Sequence, residues 1–291
     1  MMSTVKNYLS LVKFSHTIFA MPFAMIGFAL GVKMIDVHQL SVGEILLKLV
    51  LVLVCMVSAR SAAMAFNRYL DRSFDAKNPR TAIREIPRGI ILPNSALRFT
   101  IINCIVFIAA TFFINRLCFA LSPVALFVIL FYSYTKRFTA LCHLVLGLGL
   151  SLAPIGAYLA VTGSFDVLPI LFSIAVITWV SGFDIIYAMQ DVDFDNSQKL
   201  HSIPTALGKA NALNASILLH VISAAAVISA GVYGHFGLLY WIGIAVFTGM
   251  LVYQHLLVKP NDLSKVNIAF MTANGIASIV FGVLVIADVI I

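Results

Sequence analysis

Charged residues are scarce in this sequence. They make up 11% of its 291 residues, against about a quarter in an ordinary soluble protein, while 61% are hydrophobic and the mean hydropathy is +1.02. A soluble domain needs a polar exterior, so a chain with so little charge is expected to be surrounded by lipid. The net charge of +7 does not indicate a nucleic-acid partner, because the bases lie between apolar stretches, where they record membrane topology.

Cysteine is also scarce, and its pattern excludes several kinds of site. The four cysteines form no CxxC pair and no cluster with histidine, so a thiolate metal site or a redox motif is not expected. All four lie within or at the edge of apolar segments, where cysteine is usually a small buried hydrophobic residue.

The apolar segments lack the alternating polarity that the strands of a membrane β-barrel would show. Because lipid leaves the backbone no other partner, continuous apolar segments of this length predict helices. We therefore predict an all-α bundle of nine transmembrane helices, forming one domain over residues 1–291. The predicted segments are 16–35, 44–70, 96–115, 117–135, 141–162, 167–190, 210–233, 236–258 and 267–289.

The distribution of lysine and arginine predicts the orientation of these helices. With the N-terminus on the cytoplasmic side and nine crossings, most of the 19 basic residues fall on the cytoplasmic side, as the positive-inside rule requires. The two long polar connections, 71–95 and 191–209, fall on that side as well. The polar chemistry of the chain is therefore expected at one membrane surface.

Two acidic motifs of the same form follow the second and the sixth segments: Asn67-x3-Asp71-x3-Asp75 and Tyr187-x3-Asp191-x3-Asp195. Residues four apart share one face of a helix, so each motif stacks carboxylates that repel one another without a counter-charge. Four segments separate the motifs, which places both on the same side of the membrane. Carboxylates facing each other across a cavity would attract divalent cations, and an all-oxygen ligand set favours Mg²⁺ or a similarly hard ion shared with phosphate oxygens.

Basic residues surround both motifs and can hold the remaining phosphate oxygens: Arg72, Lys77, Arg80, Arg84, Lys136, Arg137 and Lys199. The alternative is that the acids merely pair with these bases at the membrane surface. Two motifs at matching helix ends favour a binding site over that alternative. Asp193 lies off the stripe formed by Asp191 and Asp195, and is expected to be solvated or an outer partner.

Arg60 lies about two turns inside the second apolar segment, where an unpaired cation is costly. It precedes Asn67 by seven residues and so shares its helix face. Two interpretations stay open: Arg60 faces the cavity and binds an acidic substrate group, or it pairs with Asp184 or extends toward the surface.

The stretch Asn67-Arg68-Tyr69-Leu70-Asp71-Arg72-Ser73-Phe74-Asp75 resembles the NRxxDxxxD motif of the UbiA-type intramembrane prenyltransferases. The stretch from Tyr187 to Asp195 resembles the second DxxxD motif of that family. Flanking stretches are also similar: Ser15-His16-Thr17, Asn78-Pro79-Arg80-Thr81, Tyr134-Thr135-Lys136-Arg137 and Lys199-x4-Pro204-Thr205-x2-Gly208. The resemblance covers about residues 10–210, and the 4-hydroxybenzoate polyprenyltransferase branch is the most similar.

This resemblance implies nine helices around a lipid-open cavity in the bacterial-type inner membrane, with the active site facing the cytoplasm. It implies Mg²⁺ held by Asn67, Asp71, Asp75, Asp191 and Asp195, the four aspartates being the catalytic residues. It implies that a polyprenyl diphosphate ionises and alkylates a small aromatic acid, as in quinone biosynthesis. The residues expected to bind the substrates are Arg60, Asn67, Arg72, Arg80, Lys136, Arg137, Tyr134, Tyr187 and Lys199.

Other interpretations stay open at this point. The acceptor could be a naphthoate, haem or another quinone precursor, and the ring proton could leave to Asp191 or to the released diphosphate. A cation-coupled transporter is a rival class, but transporters place their ionisable residues near the bilayer midplane, whereas these acids gather at one surface.

Overall fold

The computed structural model describes residues 2–12, 19–35 and 40–291, with the side chains of residues 2–4 left aside. The helices are α1 Met2–Leu11, α2 Met21–Met34, α3 Val42–Lys77, α4 Pro93–Ile114, α5 Arg116–Thr135, α6 Cys142–Thr162, α7 Val167–Ala188, α8 Val192–Ser197, α9 Ile203–Tyr233, α10 Leu238–Leu257 and α11 Asn274–Ile290. A 3-10 turn, Met189–Asp191, joins α7 to α8, and a π-helical turn, Ile268–Ala273, precedes α11.

The predicted all-α membrane bundle is confirmed. Within the described residues, eight helical stretches are long and apolar enough to cross a membrane, and α2 is a shorter apolar helix. This agrees with nine predicted segments, although the start of the first one, including Ser15-His16-Thr17, lies outside the described residues. Large side chains such as Phe113 and Phe127 are 71% and 63% exposed, as expected of surfaces that face lipid. The chain is an integral membrane protein, and its description as a single domain stays a prediction.

Helix α3 is longer than predicted, and this difference positions the first acidic motif. A capping box between Ser41 and Glu44 starts the helix, which ends only at Lys77 before Asn78-Pro79. Its 36 residues span about 54 Å at about 1.5 Å per residue, well beyond a hydrocarbon core of about 30 Å. Asp71 and Asp75 thus lie on a continuous helix, as their four-residue spacing predicted, and the polar connection 71–95 leaves the helix only at Asn78.

The second polar connection is largely helical. Within 191–209, the 3-10 turn and α8 carry the second motif, and α9 already begins at Ile203 behind a capping box from Ser202 to Thr205. Gly208, with a φ of 76° and a ψ of 161°, breaks α9. This left-handed backbone is open to glycine without strain, so the polar first turn of α9 can bend away from its apolar part.

The tightly packed half of the molecule consists of α2, α7, α9, α10 and α11. Trp179 and the rings of Phe23, Phe172, Phe247 and Phe281 are fully buried there, with neighbouring ring centroids 5.2–6.3 Å apart. Asn274 accepts a hydrogen bond from the indole of Trp179 at 2.8 Å, which satisfies the one polar atom of that ring. The other half, α3 to α6, is less filled and leaves an apolar cavity.

Helices α6 and α7 approach each other closely at Gly147, so a larger residue there is expected to destabilise the protein. A Cβ atom added at Gly147 would lie 2.4 Å from the carbonyl oxygen of Ile177, so the backbones would have to separate. We expect Gly147→Ala to cost about 1–3 kcal/mol, seen as a lower midpoint of thermal unfolding in detergent. Gly156→Ala on the same helix is the control, because its Cβ would meet no described atom within 4 Å. Equal midpoints for the two variants would contradict this account of the packing.

Candidate active site

The first acidic motif lies on one face of the last turns of α3. Asn67, Asp71 and Asp75 all line a cavity of about 200 Å³. Asn67 Nδ2 donates to Asp71 Oδ2 at 2.9 Å, which holds the carboxylate toward the preceding turn. Asp75 is 5% exposed, so its charge is almost entirely removed from water.

The second motif reaches the same cavity from α7, the 3-10 turn and α8. Tyr187, Asp191 and Asp195 line it, and the two aspartates are 9% and 1% exposed. Asp193 is exposed and lies outside the lining residues. The structure thus brings together two acidic motifs that are more than 100 residues apart in the sequence.

Each of these four aspartates is paired with a different basic side chain. Their partners come from the loop after α3 and from the loop after α5. The pairs are Asp71–Arg137 at 2.9 Å, Asp75–Arg84 at 2.5 Å, Asp195–Lys136 at 2.8 Å, and Asp191–Arg80, in which Arg80 also donates through Nε at 3.0 Å. Burying carboxylates is costly unless they are paired, so these four bases stabilise the acidic cluster.

Arg80 shows how the loop after α3 is held against the second motif. Its backbone N–H donates to Asn78 Oδ1 at 2.9 Å, and Asn78 Nδ2 donates to Asp191 at 3.2 Å. The Arg80 guanidinium also donates to the Tyr187 hydroxyl at 3.0 Å and lies over its ring. Burial acts to lower the pKa of Arg80, but the hydrogen bonds to Asp191 and Tyr187 outweigh it and raise that pKa. The group therefore stays protonated.

A larger apolar cavity of about 420 Å³ continues from the charged one between α3, α4, α5 and α6. Tyr132 and Leu146 line both cavities, so the two meet at these side chains. Arg60 lines the apolar cavity, and its Nε has no hydrogen-bond partner among the described residues. The suggested pairing of Arg60 with Asp184 is not what the structure has, since Asp184 pairs with His143 at 2.7 Å.

Most of the site residues expected from the sequence lie at these cavities, and three do not line them. Arg72 is exposed and donates to the Tyr69 carbonyl oxygen on its own helix at 2.6 Å. Tyr134 is 43% exposed and lies beside Arg137, whose guanidinium carbon is 5.5 Å from the ring centroid. Lys199 is exposed, in a left-handed backbone conformation with a φ of 54°.

Arg84, expected to be near the phosphate, lines the cavity, and several other lining residues were not among the expected substrate or metal ligands: Asn78, Tyr132, His143 and Asp184. A sequence signal existed for two of them: Asp184 precedes Asp191 by seven residues, Tyr132 precedes Lys136 by four, and each spacing places both residues on one helix face. Tyr134 does not share the face of Lys136, although it belongs to the conspicuous Tyr134-Thr135-Lys136-Arg137 stretch. The position of Asn78 depends on how the loop after α3 folds back, which spacing alone does not indicate.

The fold and the site define a polytopic membrane protein with a cluster of paired charges above an apolar cavity. The chain belongs to the UbiA prenyltransferase family, whose profile matches residues 18–276.

Individual relatives agree with this membership. The chain is 30% identical over 185 residues to a 4-hydroxybenzoate octaprenyltransferase from Aeromonas salmonicida, covering 62% of this chain and 64% of that protein, which is less than two thirds of its length. The apo structure of a UbiA homolog from Aeropyrum pernix K1 has a TM-score of 0.79 at 28% identity, covering 94% of this chain and 97% of the other. A UbiA homolog from Archaeoglobus fulgidus, solved with DMAPP and Mg²⁺, has the same fold, with a TM-score of 0.73 at 21% identity over 98% and 99% of the chains.

Proposed function

We propose that this protein transfers a polyprenyl group from its diphosphate to a small aromatic acid, with Mg²⁺ bound at the two acidic motifs. The observation that carries the proposal is the convergence of both motifs, each paired with bases, directly above an apolar cavity. A diphosphate needs cations and donors around it, and its isoprenoid tail needs an apolar space. The two joined cavities offer both.

The donor atoms of the site fit Mg²⁺. Among the described residues, Asp75 Oδ2 and Asp195 Oδ2 are buried without a hydrogen-bond partner, so two carboxylate oxygens are free to bind a cation. No group of three acidic, histidine or cysteine side chains in the described part of the chain forms a metal site by itself. This is typical of Mg²⁺, which binds one or two carboxylates and shares the substrate's phosphate oxygens. The residues that would hold it are Asn67, Asp71, Asp75, Asp191 and Asp195.

The four basic side chains can serve either the aspartates or a bound diphosphate. Arg80, Arg84, Lys136 and Arg137 are bound to the aspartates in this structure. When the carboxylates bind a metal, these side chains become available to donate to phosphate oxygens. Guanidinium groups suit this task, because they can make two parallel hydrogen bonds to phosphate. The bound metal and these bases together stabilise the negative charge of the leaving diphosphate.

The apolar cavity supplies the other condition for the reaction. An allylic cation reacts with water unless water is kept away, and the cavity below Tyr132 is lined almost entirely by apolar side chains. Along α3 its lining extends from Val52 to Met64, about 18 Å at about 1.5 Å per residue. The tail of the donor is therefore expected to lie in this cavity, inside the membrane.

Arg60 supports an acidic acceptor. Its side chain lines the apolar cavity, and its Nε has no hydrogen-bond partner among the described residues. A carboxylate on the acceptor would satisfy this buried cation through a charge-assisted hydrogen bond. The similar 4-hydroxybenzoate octaprenyltransferase supports 4-hydroxybenzoate as the first acceptor to test.

We further propose that the protein lies in a bacterial-type inner membrane and that its charged cavity opens toward the cytoplasm.

A panel of acceptors tests the proposal. We expect purified protein with Mg²⁺ and a labelled polyprenyl diphosphate to prenylate 4-hydroxybenzoate, with the product identified by mass spectrometry. A naphthoate, a phenol without the carboxylate and haem should react poorly or not at all. Preference for one of these would replace the proposed acceptor, and the absence of transfer to any of them would overturn the proposal.

The Arg60→Met variant tests the role of the carboxylate. Methionine keeps the apolar bulk but loses the charge, so we expect a KM for the acid raised by about 10-fold or more, since a hydrogen bond to a charged group contributes about 1.5–3 kcal/mol. The KM for the diphosphate should change little. An unchanged KM for the acid would contradict the assignment of Arg60.

A further inference from the structure

We propose that Asp184 accepts the ring proton of the aromatic acceptor, and that His143 positions it for this step. The inference rests on the proposed function, because a ring proton is lost only when a ring is alkylated. It selects a base that differs from both groups the sequence left open, Asp191 and the released diphosphate.

The aspartates that line the charged cavity differ in their ion-pair partners. Five aspartates line the charged cavity, and four of them pair with arginine or lysine. Asp191 accepts from two guanidinium nitrogens of Arg80 and from Asn78, and three donors lower its basicity. Asp184 pairs with His143 instead, and its side chain is 25% exposed. Of the five, it is the one that is neither paired with an arginine or lysine nor among the proposed metal ligands, so it is the carboxylate left to take a proton.

His143 is buried at the start of α6, where it is 2% exposed, and its two ring nitrogens have different partners. The backbone N–H of Ile203 points to His143 Nε2 at 3.4 Å, so Nε2 acts as the acceptor. In a neutral imidazole the proton is then on Nδ1, which lies 2.7 Å from Asp184 Oδ2. This hydrogen bond fixes the direction of the carboxylate and leaves its other oxygen for the substrate. His143 is thus a positioning residue.

Asp184 and Arg60 lie at a similar depth within the helix bundle. Asp184 precedes Asp191 by seven residues along α7 and the turn that follows it, about 10 Å at about 1.5 Å per residue. Arg60 precedes Asn67 on α3 by the same number of residues. Asp184 and Arg60 are therefore about equally far below their motifs, near Tyr132 and Leu146, where the cavities meet. An acceptor held through its carboxylate by Arg60 would have its ring at this level.

The proposed step breaks a C–O bond and a C–H bond and forms a C–C bond and an O–H bond. The allylic C–O bond breaks and its electron pair leaves with the diphosphate, and the ring carbon then forms the new C–C bond. The C–H bond at that carbon breaks, its electrons restore the aromatic ring, and the proton goes to the Asp184 carboxylate. The resulting carboxylic acid loses this proton to water at the mouth of the charged cavity.

The decisive experiment compares the acceptor that the wild type uses with the same acceptor deuterated on its ring. In the Asp184→Asn variant we expect kcat to fall by about 10²-fold, as is typical for loss of a general base. Removal of the ring proton should then limit the rate, so a primary isotope effect larger than in the wild type should appear. A variant that is merely damaged in structure would lose activity without this change. The KM for the diphosphate should stay near its wild-type value.

Two further variants keep the result interpretable. Asp193→Asn removes the same charge from an exposed position outside the cavity lining and should behave as the wild type. His143→Gln keeps Asp184 but loses the imidazole, and should show a smaller fall in kcat with the same appearance of an isotope effect. It also serves as the test if Asp184→Asn does not fold.

The outcomes separate this inference from the proposed function. Prenyl transfer by the wild type, with no increase in isotope effect in either Asp184→Asn or His143→Gln, would overturn the role of Asp184 and leave the function intact. Failure of the wild type to prenylate any aromatic acceptor would overturn the proposed function itself. An increased isotope effect in Asp184→Asn supports both.

Discussion

Replacing Asp71 or Asp191 by alanine is expected to lower prenyl transfer by at least about 10²–10³-fold, the effect of removing one group that stabilises developing charge at an active site. Each aspartate belongs to a different motif, and both line the same cavity. Loss of either would remove ligands from one side of the proposed metal–diphosphate complex, so the two variants should be affected to a similar extent. Initial rates with a labelled diphosphate measure the effect.

The control for both variants is Asp193→Ala, which removes a carboxylate from the same acidic stretch at an exposed position. All three proteins should still insert into membranes and elute as single species in detergent, because the aromatic half of the bundle is untouched. Near-wild-type rates in Asp71→Ala or Asp191→Ala would refute the metal assignment. A large loss in Asp193→Ala would show that the surface charge, and not the cavity, matters.

Removal of divalent cations is expected to have an equally large effect. After dialysis against EDTA we expect transfer to fall to background, because the diphosphate would then meet four carboxylates without metal between them. Mg²⁺ should restore activity, and Ca²⁺ should restore less, since it is larger and requires more ligands. Full activity after EDTA treatment would contradict the proposal that the motifs hold a metal.

Much of the fold and the core of the site could be predicted from the sequence, because the signals are local. Long apolar runs predict membrane helices, and four-residue spacing places Asn67, Asp71 and Asp75 on one face whether or not the helix lies in lipid. Convergence of the two motifs also followed from topology, since an even number of segments between them places both on one side. These features need no knowledge of tertiary packing.

The parts that sequence reasoning missed depend on tertiary contacts. The apolar segment was predicted to end at residue 70, but α3 continues to Lys77, because pairing of Asp71 and Asp75 with Arg137 and Arg84 offsets the cost of burying them. Arg72 and Lys199 were counted with the site because they are basic and adjacent in sequence, yet they do not line it. The pairing of His143 with Asp184 joins residues 41 positions apart, and no spacing rule indicates it.

Binding of a donor analogue that cannot ionise, measured by titration calorimetry in detergent, tests the central claim most directly. The analogue replaces the bridging oxygen of a polyprenyl diphosphate by carbon, so binding is observed without reaction. We expect the wild type to bind it only with Mg²⁺, and Asp71→Ala and Asp191→Ala both to lose most of this binding. Tight binding without a divalent cation, or unchanged binding in one of the two variants, would contradict a metal-bound diphosphate shared by the two motifs.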